Sequence, residues 1–311
     1  MLRHLARAAL LLAVLSCARP RVAAAPPLAP SAFPFAVDTV RSRTIAAGVR
    51  HHYLYAAAGP WAIHVLDVRL DQCWTPVAVK GGTSAVGRTT TTQLLRTLAD
   101  TRTVAGGVNA DFFLFTPPGV PTNAHVSAGR VLTPPNGRPA FAVDSAGRPH
   151  IVVLTRPGTD SIPVDDPRLA AMRLGPFHPL EAVGGRPVLL RDSVPAGDLA
   201  TAGGASFAAA RHPRTAVGIS GDGRRLWLVV VDGRQKPYSD GMTLTETATL
   251  LRALGAREAL NLDGGGSTAL VAADPDSAGA LRVRNHPSDP TGERAVGNAL
   301  AIVRREGCRA R

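Results

Sequence analysis

Lysine is almost missing from this chain of 311 residues: every one of its 35 basic residues is arginine except Lys80 and Lys236. Aromatic residues make up only 5%, and no basic run carries aromatics between its charges. That excludes the usual nucleic-acid modules, which need stacking rings beside phosphate-gripping cations. Cysteine occurs three times, with no Cys-x-x-Cys or His-Glu-x-x-His spacing, so neither a zinc ribbon nor a helix-borne zinc protease site is written here. Beyond the first 25 residues no apolar run is long enough to cross a bilayer.

What is there suits an exported globular protein. Hydrophobic residues make up 45%, enough for a sizeable core. The net charge is +12; Arg3, Arg7, Arg19 and Arg21 supply part of it, leaving about +8 for the rest. A basic body without a nucleic-acid module points to an anionic small substrate or glycan, or to solubility alone. Arg3 and Arg7 precede the apolar run Ala8–Leu15, and small residues follow at Ser16, Ala18 and Ala23 to Ala25. Residues 1–25 therefore read as an export signal. Val14-Leu15-Ser16-Cys17 also resembles a lipobox, so the alternatives are a cleaved signal and a lipid anchor at Cys17, the one membrane contact expected. The expected location is periplasmic, cell-envelope or secreted. Cys73 and Cys308 bracket nearly the whole body and, in an oxidising compartment, are candidates for a disulfide, against the alternative of two free thiols.

Residues 26–36 are rich in proline and alanine and read as a flexible linker. The remaining 37–308 are expected to form one α+β domain around a large mixed sheet with few helices. Strands are expected at Trp61–Leu70, Thr75–Val79, Thr103–Asn109, Thr215–Ile219, Leu226–Val231, Ala259–Leu262 and Val296–Val303, with shorter ones between Val131 and Leu190. Ala200–His212 reads as a surface loop. Leu244–Leu254 is the clearest helix: Leu244, Ala248, Leu251 and Leu254 share a face, Thr243 and Glu246 make a capping box, and Gly255 stops it.

The chain is organised around Asn261-Leu262-Asp263-Gly264-Gly265-Gly266-Ser267, set between two apolar runs. It reads as strand, tight loop, strand. Three consecutive glycines lose much backbone entropy on ordering, so a positive φ or a close ligand must need them. Successive amides there can form an anion nest, with the Ser267 hydroxyl as a further donor. An ordinary hairpin with a solvated Asp is the plainer alternative.

The segments Asn109–Phe113, Arg214–Gly218, Val230–Gly233, Gly241–Glu246, Asn261–Ser267 and Arg294–Ala299, in that order, resemble the phosphodiester glycosidase family. The resemblance covers roughly residues 60–304 and departs from the family pattern at Ala110-Asp111, which adds a carboxylate. It implies hydrolysis of a sugar 1-phosphodiester at the C1–O bond, with a phosphorylated glycan or polysaccharide as the substrate class.

A departing phosphate needs positive potential more than a proton donor. Arg214 and the amides of Gly264, Gly265, Gly266 and Ser267 are the candidates to hold it. Asp263 is the first candidate to face C1, as nucleophile or as base for water. Glu246 is second, with capping as its competing role; Asp232 and Asp111, each following a strand, come next. If the strand ends meet at one sheet edge, Asp111, Asp232 and Asp263 cluster there, and a proton or a divalent cation (Ca²⁺ or Mg²⁺) would relieve their repulsion, although no cofactor is required. Asn109, Asn261 and Asn298 are candidates for sugar hydroxyls or for local turns, and His125, His178 and His212 for loop acids or bases. A metal-dependent phosphodiesterase and a non-catalytic exopolysaccharide binder remain the competing readings.

Overall fold

The computed structural model describes residues 28–158, 162–163 and 165–308; the export segment and Cys17 lie outside them. The apolar runs pair into strands, and every strand pairing among the described residues is antiparallel. An eight-stranded sheet runs, in spatial order, Thr39–Ala46, Val49–Ala56, Trp61–Arg69, Arg225–Val231, Arg214–Ile219, Glu258–Asn261, Val188–Arg191 and Val194–Pro195. A five-stranded sheet runs Ala280–Val283, Leu270–Asp274, Val104–Asn109, Ala299–Arg304 and Trp74–Val79. A second five-stranded sheet is built from the middle of the chain, between His125 and Gly184.

The expected single mixed sheet is therefore corrected to several antiparallel ones. The strand–helix–strand unit that suggested it does exist. Arg225–Val231 and Glu258–Asn261 run the same way, but Arg214–Ile219 lies between them, antiparallel to both. The hairpin Thr39–Ala46 with Val49–Ala56 was not anticipated, because its arginines and histidines mask the alternation.

The three larger sheets share one core. Leu66 and Leu260 from the first, Val108 and Leu300 from the second and Phe141 from the third pack in a single buried cluster. Helix Leu244–Leu254 covers the other face of the eight-stranded sheet, setting Leu244, Ala248, Leu251 and Leu254 in one cluster with Trp227 and Val229. Its ends are as expected: Thr243 and Glu246 cap each other reciprocally and Gly255 takes φ 100°. Helix Thr91–Ala99 covers the second sheet through Leu94 and Leu95. The described part of the expected linker is not loose. Phe33 is buried and Phe35 meets Trp61 edge-on at 5.0 Å, so two aromatics seat a stretch whose composition suggested flexibility.

Cys73 and Cys308 are joined in a disulfide, with 5.6 Å between their Cα atoms. They sit just beyond the paired strands Trp74–Val79 and Ala299–Arg304, where the Arg305 amide also donates to the Cys73 carbonyl. The bond closes a loop of 235 residues, so its chief effect is to restrict the unfolded chain. Cys308→Ser is expected to lower unfolding stability by about 2–4 kcal/mol, measured by urea denaturation without reductant. A loss under about 1 kcal/mol would mean that the strand pairing alone holds this end.

Candidate active site

Between Asn261 and Leu270 the chain leaves the eight-stranded sheet and enters the five-stranded one. The glycine loop is this passage: strand, tight loop and strand follow as expected, but the two strands lie in different sheets, so the alternative of an ordinary hairpin does not hold. Gly264 lies so close to the preceding segment that an added Cβ would stand 2.6 Å from the Pro213 carbonyl oxygen. Gly265 takes φ 61°. The loop's amides are mostly used internally. Gly264 donates to the Asp263 carboxylate, Gly265 to the Pro213 carbonyl, and Ser267 and Thr268 close a 3₁₀ turn. The expected anion nest of successive free amides is not built.

The loop instead forms one wall of a cleft of ≈ 290 Å³, in which Asp263 faces Arg214, Arg234 and Arg294 beside Phe112 and Phe207. Arg294 lies against Gly266 and Arg234 against Gly265, whose missing Cβ leaves room for the guanidinium 3.2 Å from where it would stand. The Arg294 Nε donates to Asp289 at 2.8 Å. The Arg234 Nη2 donates to the Nδ1 of His212 at 3.3 Å, while the His212 Nε2 donates to the Ser206 carbonyl at 2.8 Å. Both ring nitrogens of His212 are thus engaged, and it serves to position Arg234. Arg186 stacks over Phe112 at 4.8 Å and Phe207 at 5.7 Å. The residues 200–212 expected as a surface loop thus supply one side of the cleft, through Ser206, Phe207 and His212.

Asp263 is pushed up to about 6 by burial, against the pull of Ser267, the Gly264 amide, Arg294 and Arg186. Its backbone amide donates to the Ala110 carbonyl at 2.8 Å. The next residue, Asp111, is fully buried. Burial comes first, and repulsion from Asp263 adds to it, in raising Asp111 to about 7, although the Asn123 amide donates to its Oδ2 at 2.8 Å. A Cβ on Gly184 would stand 2.5 Å from that oxygen, so this glycine makes room for the carboxyl.

Several candidate residues turn out to be internal supports. Arg214 is buried and gives its Nε to the Met242 carbonyl and its Nη2 to the carbonyls of Phe207 and Ala210, at 2.6–3.1 Å. Burial lowers it to about 10, so it stays charged at neutral pH. It clamps the 207–210 segment rather than presenting its fork to a ligand. Glu246 accepts from the Thr243 amide at 2.9 Å and from Arg211 at 2.8 Å and is a helix cap. Asn109 donates to the Asp263 carbonyl and accepts from Thr215 and Ala269. Asn261 donates to the carbonyls of Arg186 and Leu262. Asn298 accepts from the Asp111 amide and donates to His125. All three asparagines are buried and brace the backbone; none offers its amide to the cleft. His125 is buried in a strand and held down to about 3 by burial, and His178 locks a turn through the Gly129 carbonyl.

Asp232 leaves the same sheet edge as Asp263, two strands away, but its oxygens accept from Tyr238, Asn285 and the His286 amide at 2.9–3.0 Å. Among the described residues no three His, Cys, Asp or Glu stand together as a metal-holding group. A cation shared by Asp111, Asp232 and Asp263 does not fit this geometry, and no chemical step is routed through one.

The residues missed by sequence reasoning are Arg186, Arg234, Arg294, Phe112 and Phe207. A usable signal was present for four: Phe112 lies within Asn109–Phe113, a segment that carried the family resemblance. Arg186 and Arg234 each follow glycine at a strand end, and Arg294 opens one of the segments that carried the family resemblance.

A family model described as phosphodiester glycosidase matches residues 102–303. The chain belongs to the phosphodiester glycosidase family. Among solved structures, a hypothetical protein from Synechocystis has a TM-score of 0.66 at 18% identity over 86% of this chain, which spans 64% of that protein's length. A putative exported protein from Burkholderia pseudomallei has a TM-score of 0.56 at 22% identity, covering 80% of this chain and 75% of its own. The zebrafish N-acetylglucosamine-1-phosphodiester α-N-acetylglucosaminidase catalytic domain, auto-inhibited by its pro-peptide, has 0.55 at 19%, covering 85% and 81%. At these identities the likeness is one of fold. No curated protein matches the chain.

Raised carboxyl groups also shape stability. Asp111 and Asp263 ionise later in the folded chain than the ordinary value of 3.8. Between about pH 4 and 7 the folded state holds protons that the unfolded state has released, so their contribution to stability falls as pH rises through that window and then levels off. Asp111→Asn, neutral throughout, keeps an acceptor for the Asn123 amide. It is expected to raise Tm at pH 8 by at least about 2 °C, with the gain gone by pH 4. A lower Tm at pH 8 would show that the buried carboxylate is favourably held.

Proposed function

We propose that the chain is an exported hydrolase that cleaves the C1–O bond of a sugar 1-phosphodiester in a glycan or cell-envelope polymer. The observation that carries this reading is one cleft that sets a carboxylate raised to about 6, Asp263, against the guanidinium groups of Arg234 and Arg294. In this reading the phosphate lies between Arg234 and Arg294, whose planar forks bind two oxygens and stabilise charge as the C1–O bond breaks. The sugar lies toward Phe112 and Phe207, and Asp263 faces C1. Desolvation makes Asp263 a stronger base or nucleophile than a solvated Asp, while the glycine loop and Ser267 hold it in place.

The phosphomonoester released by C1–O cleavage departs as a stable anion, so a second carboxylic acid in the cleft is not needed as proton donor. Family membership and the fold shared with the zebrafish domain support the same reading. Export is supported by the signal-like pattern of residues 1–25 and by the disulfide, which an oxidising compartment preserves. The signal is cleaved or Cys17 is lipidated.

The test is hydrolysis of a sugar 1-phosphodiester in ¹⁸O-labelled water, with mass analysis of both products. Label in the sugar supports the reading; label in the phosphate means P–O cleavage and ends it. Asp263→Asn is expected to lower kcat at least about 10²-fold with folding intact. The acid limb of kcat/KM should fall below pH 6, where Asp263 gains its proton; a flat profile from pH 7 to 4.5 would remove Asp263 from the reacting centre. Arg294→Gln should slow a phosphodiester at least about 10-fold more than an uncharged aryl glycoside. Equal losses on the two substrates would make Arg294 a structural group.

A further inference from the structure

We propose that a second anion subsite adjoins the Asp263 cleft and takes the next phosphate of a poly(sugar phosphate), so that the protein engages polymers in preference to single diesters. The inference rests on the reading of Asp263 as the reacting centre for its orientation, but its binding test does not. A separate cleft of ≈ 540 Å³ is lined by Arg211, Arg234, Lys236 and Asp240. Arg234 also lines the Asp263 cleft, so the two share a wall.

That wall is a fixed one. Arg234 lies in the left-handed region at φ 60°. Beyond it Gln235 donates to the Ser239 carbonyl at 3.0 Å, and Asp240 to the Pro60 carbonyl at 2.9 Å. At its base Asp232 is tied to Tyr238, Asn285 and the His286 amide. Arg211 is equally placed: its Nη1 donates to the Gly59 carbonyl at 2.6 Å and its guanidinium covers Trp61 at 5.2 Å. One tied loop therefore holds Arg234 between the clefts and Lys236 in the outer one.

The outer cleft is cationic. Asp240 lies 3.5 Å from Lys236 and 4.0 Å from Arg211, and Glu246 also pairs with Arg211, yet the lining stays net positive. Arg234 has the Nδ1 of His212, not a carboxylate, as its hydrogen-bond partner. With Arg234 and Arg294 on a first phosphate, Lys236 is the exposed cation of the outer cleft, paired with Asp240 alone, and a chain of sugar phosphates brings a second charge to it. No aromatic ring lines the outer cleft, and the nearby Trp61 is covered by Arg211, so bases would find no stacking platform. A sugar-phosphate chain fits this lining better than a nucleic acid does.

The experiment is equilibrium binding to the Asp263→Asn protein of synthetic hexosyl-phosphate oligomers carrying one, two or four phosphodiesters, by fluorescence anisotropy at low salt. Affinity should rise on the order of 10-fold from one phosphate to two, because the second contact is intramolecular. Added salt should shrink the gain. Lys236 is 79% exposed, so Lys236→Glu leaves packing untouched, and in that background the gain should fall below about 3-fold. Equal Kd for one and two phosphates, or a gain that Lys236→Glu does not move, would overturn the subsite. Equal binding of an oligonucleotide of matched charge would also overturn it, reducing the surface to a general polyanion patch. Turnover by the wild type separates the two readings. Oligomers that bind as described but are not cleaved would leave the subsite standing and remove the proposed chemistry.

Discussion

The Asn109 side chain holds the passage on which the site depends. Its Nδ2 donates to the Asp263 carbonyl at 2.6 Å, and its Oδ1 accepts from the Thr215 hydroxyl and the Ala269 amide. One buried amide thus ties the strand Val104–Asn109 of one sheet to a central strand of the other and to both ends of the crossing loop. Within it the Asp263 amide meets the Ala110 carbonyl. Buried polar groups of this kind are costly unless every atom is matched, and when matched they fix one arrangement. Here they fix the carboxylate that faces the cleft. Asn298 does the same one residue further on, holding the Asp111 amide.

Around that frame the electrostatics are divided between two kinds of arginine. Arg214 is buried, with three carbonyl contacts, and keeps the segment carrying Phe207 in place. Arg234 and Arg294 lie at the cleft against glycines whose missing Cβ atoms let the guanidinium groups approach the loop. The glycines thus serve close approach, as their run suggested, but what approaches is the protein's own arginine. The loop amides are turned inward, so positive potential in the cleft comes from side chains, whose reach and direction can be set independently of the loop.

Local pattern revealed local structure. Helix Leu244–Leu254, its capping box and its glycine stop follow from spacing and cap chemistry, both contained within a few residues. The disulfide was legible because few cysteines leave few pairings. Asp263 and its loop were legible because three glycines are hard to explain otherwise. What failed was assigning direction to polar side chains. Asn109, Asn261, Asn298 and Asp232 all lie in or beside the motifs, and each faces a backbone group supplied by a distant segment, such as Ala269 for Asn109 or His286 for Asp232. No spacing rule shows which distant carbonyl or amide lacks a partner. The same limit hid the sheet topology, since an intervening antiparallel strand turns an apparent parallel unit into part of an antiparallel sheet.

The placement of Asp111 is hard to explain by stability alone. A fully buried carboxyl raised to about 7 beside a second raised carboxyl costs free energy to ionise, and an uncharged residue of the same shape would avoid that cost. The surrounding structure nevertheless accommodates it, with Gly184 leaving room and the Asn123 amide directed at it. Its neighbour Asp263 shares the dry surround, which raises the proton affinity of a carboxylate, and Asp111, raised further by the charge on Asp263, is the later of the two to ionise. A base or nucleophile in the cleft is strengthened, and four arginines within or beside it keep the combined charge tolerable. In the proposed reaction the leaving phosphate meets cations already in place. A destabilising carboxyl held beside the one that faces the cleft suits that division of roles.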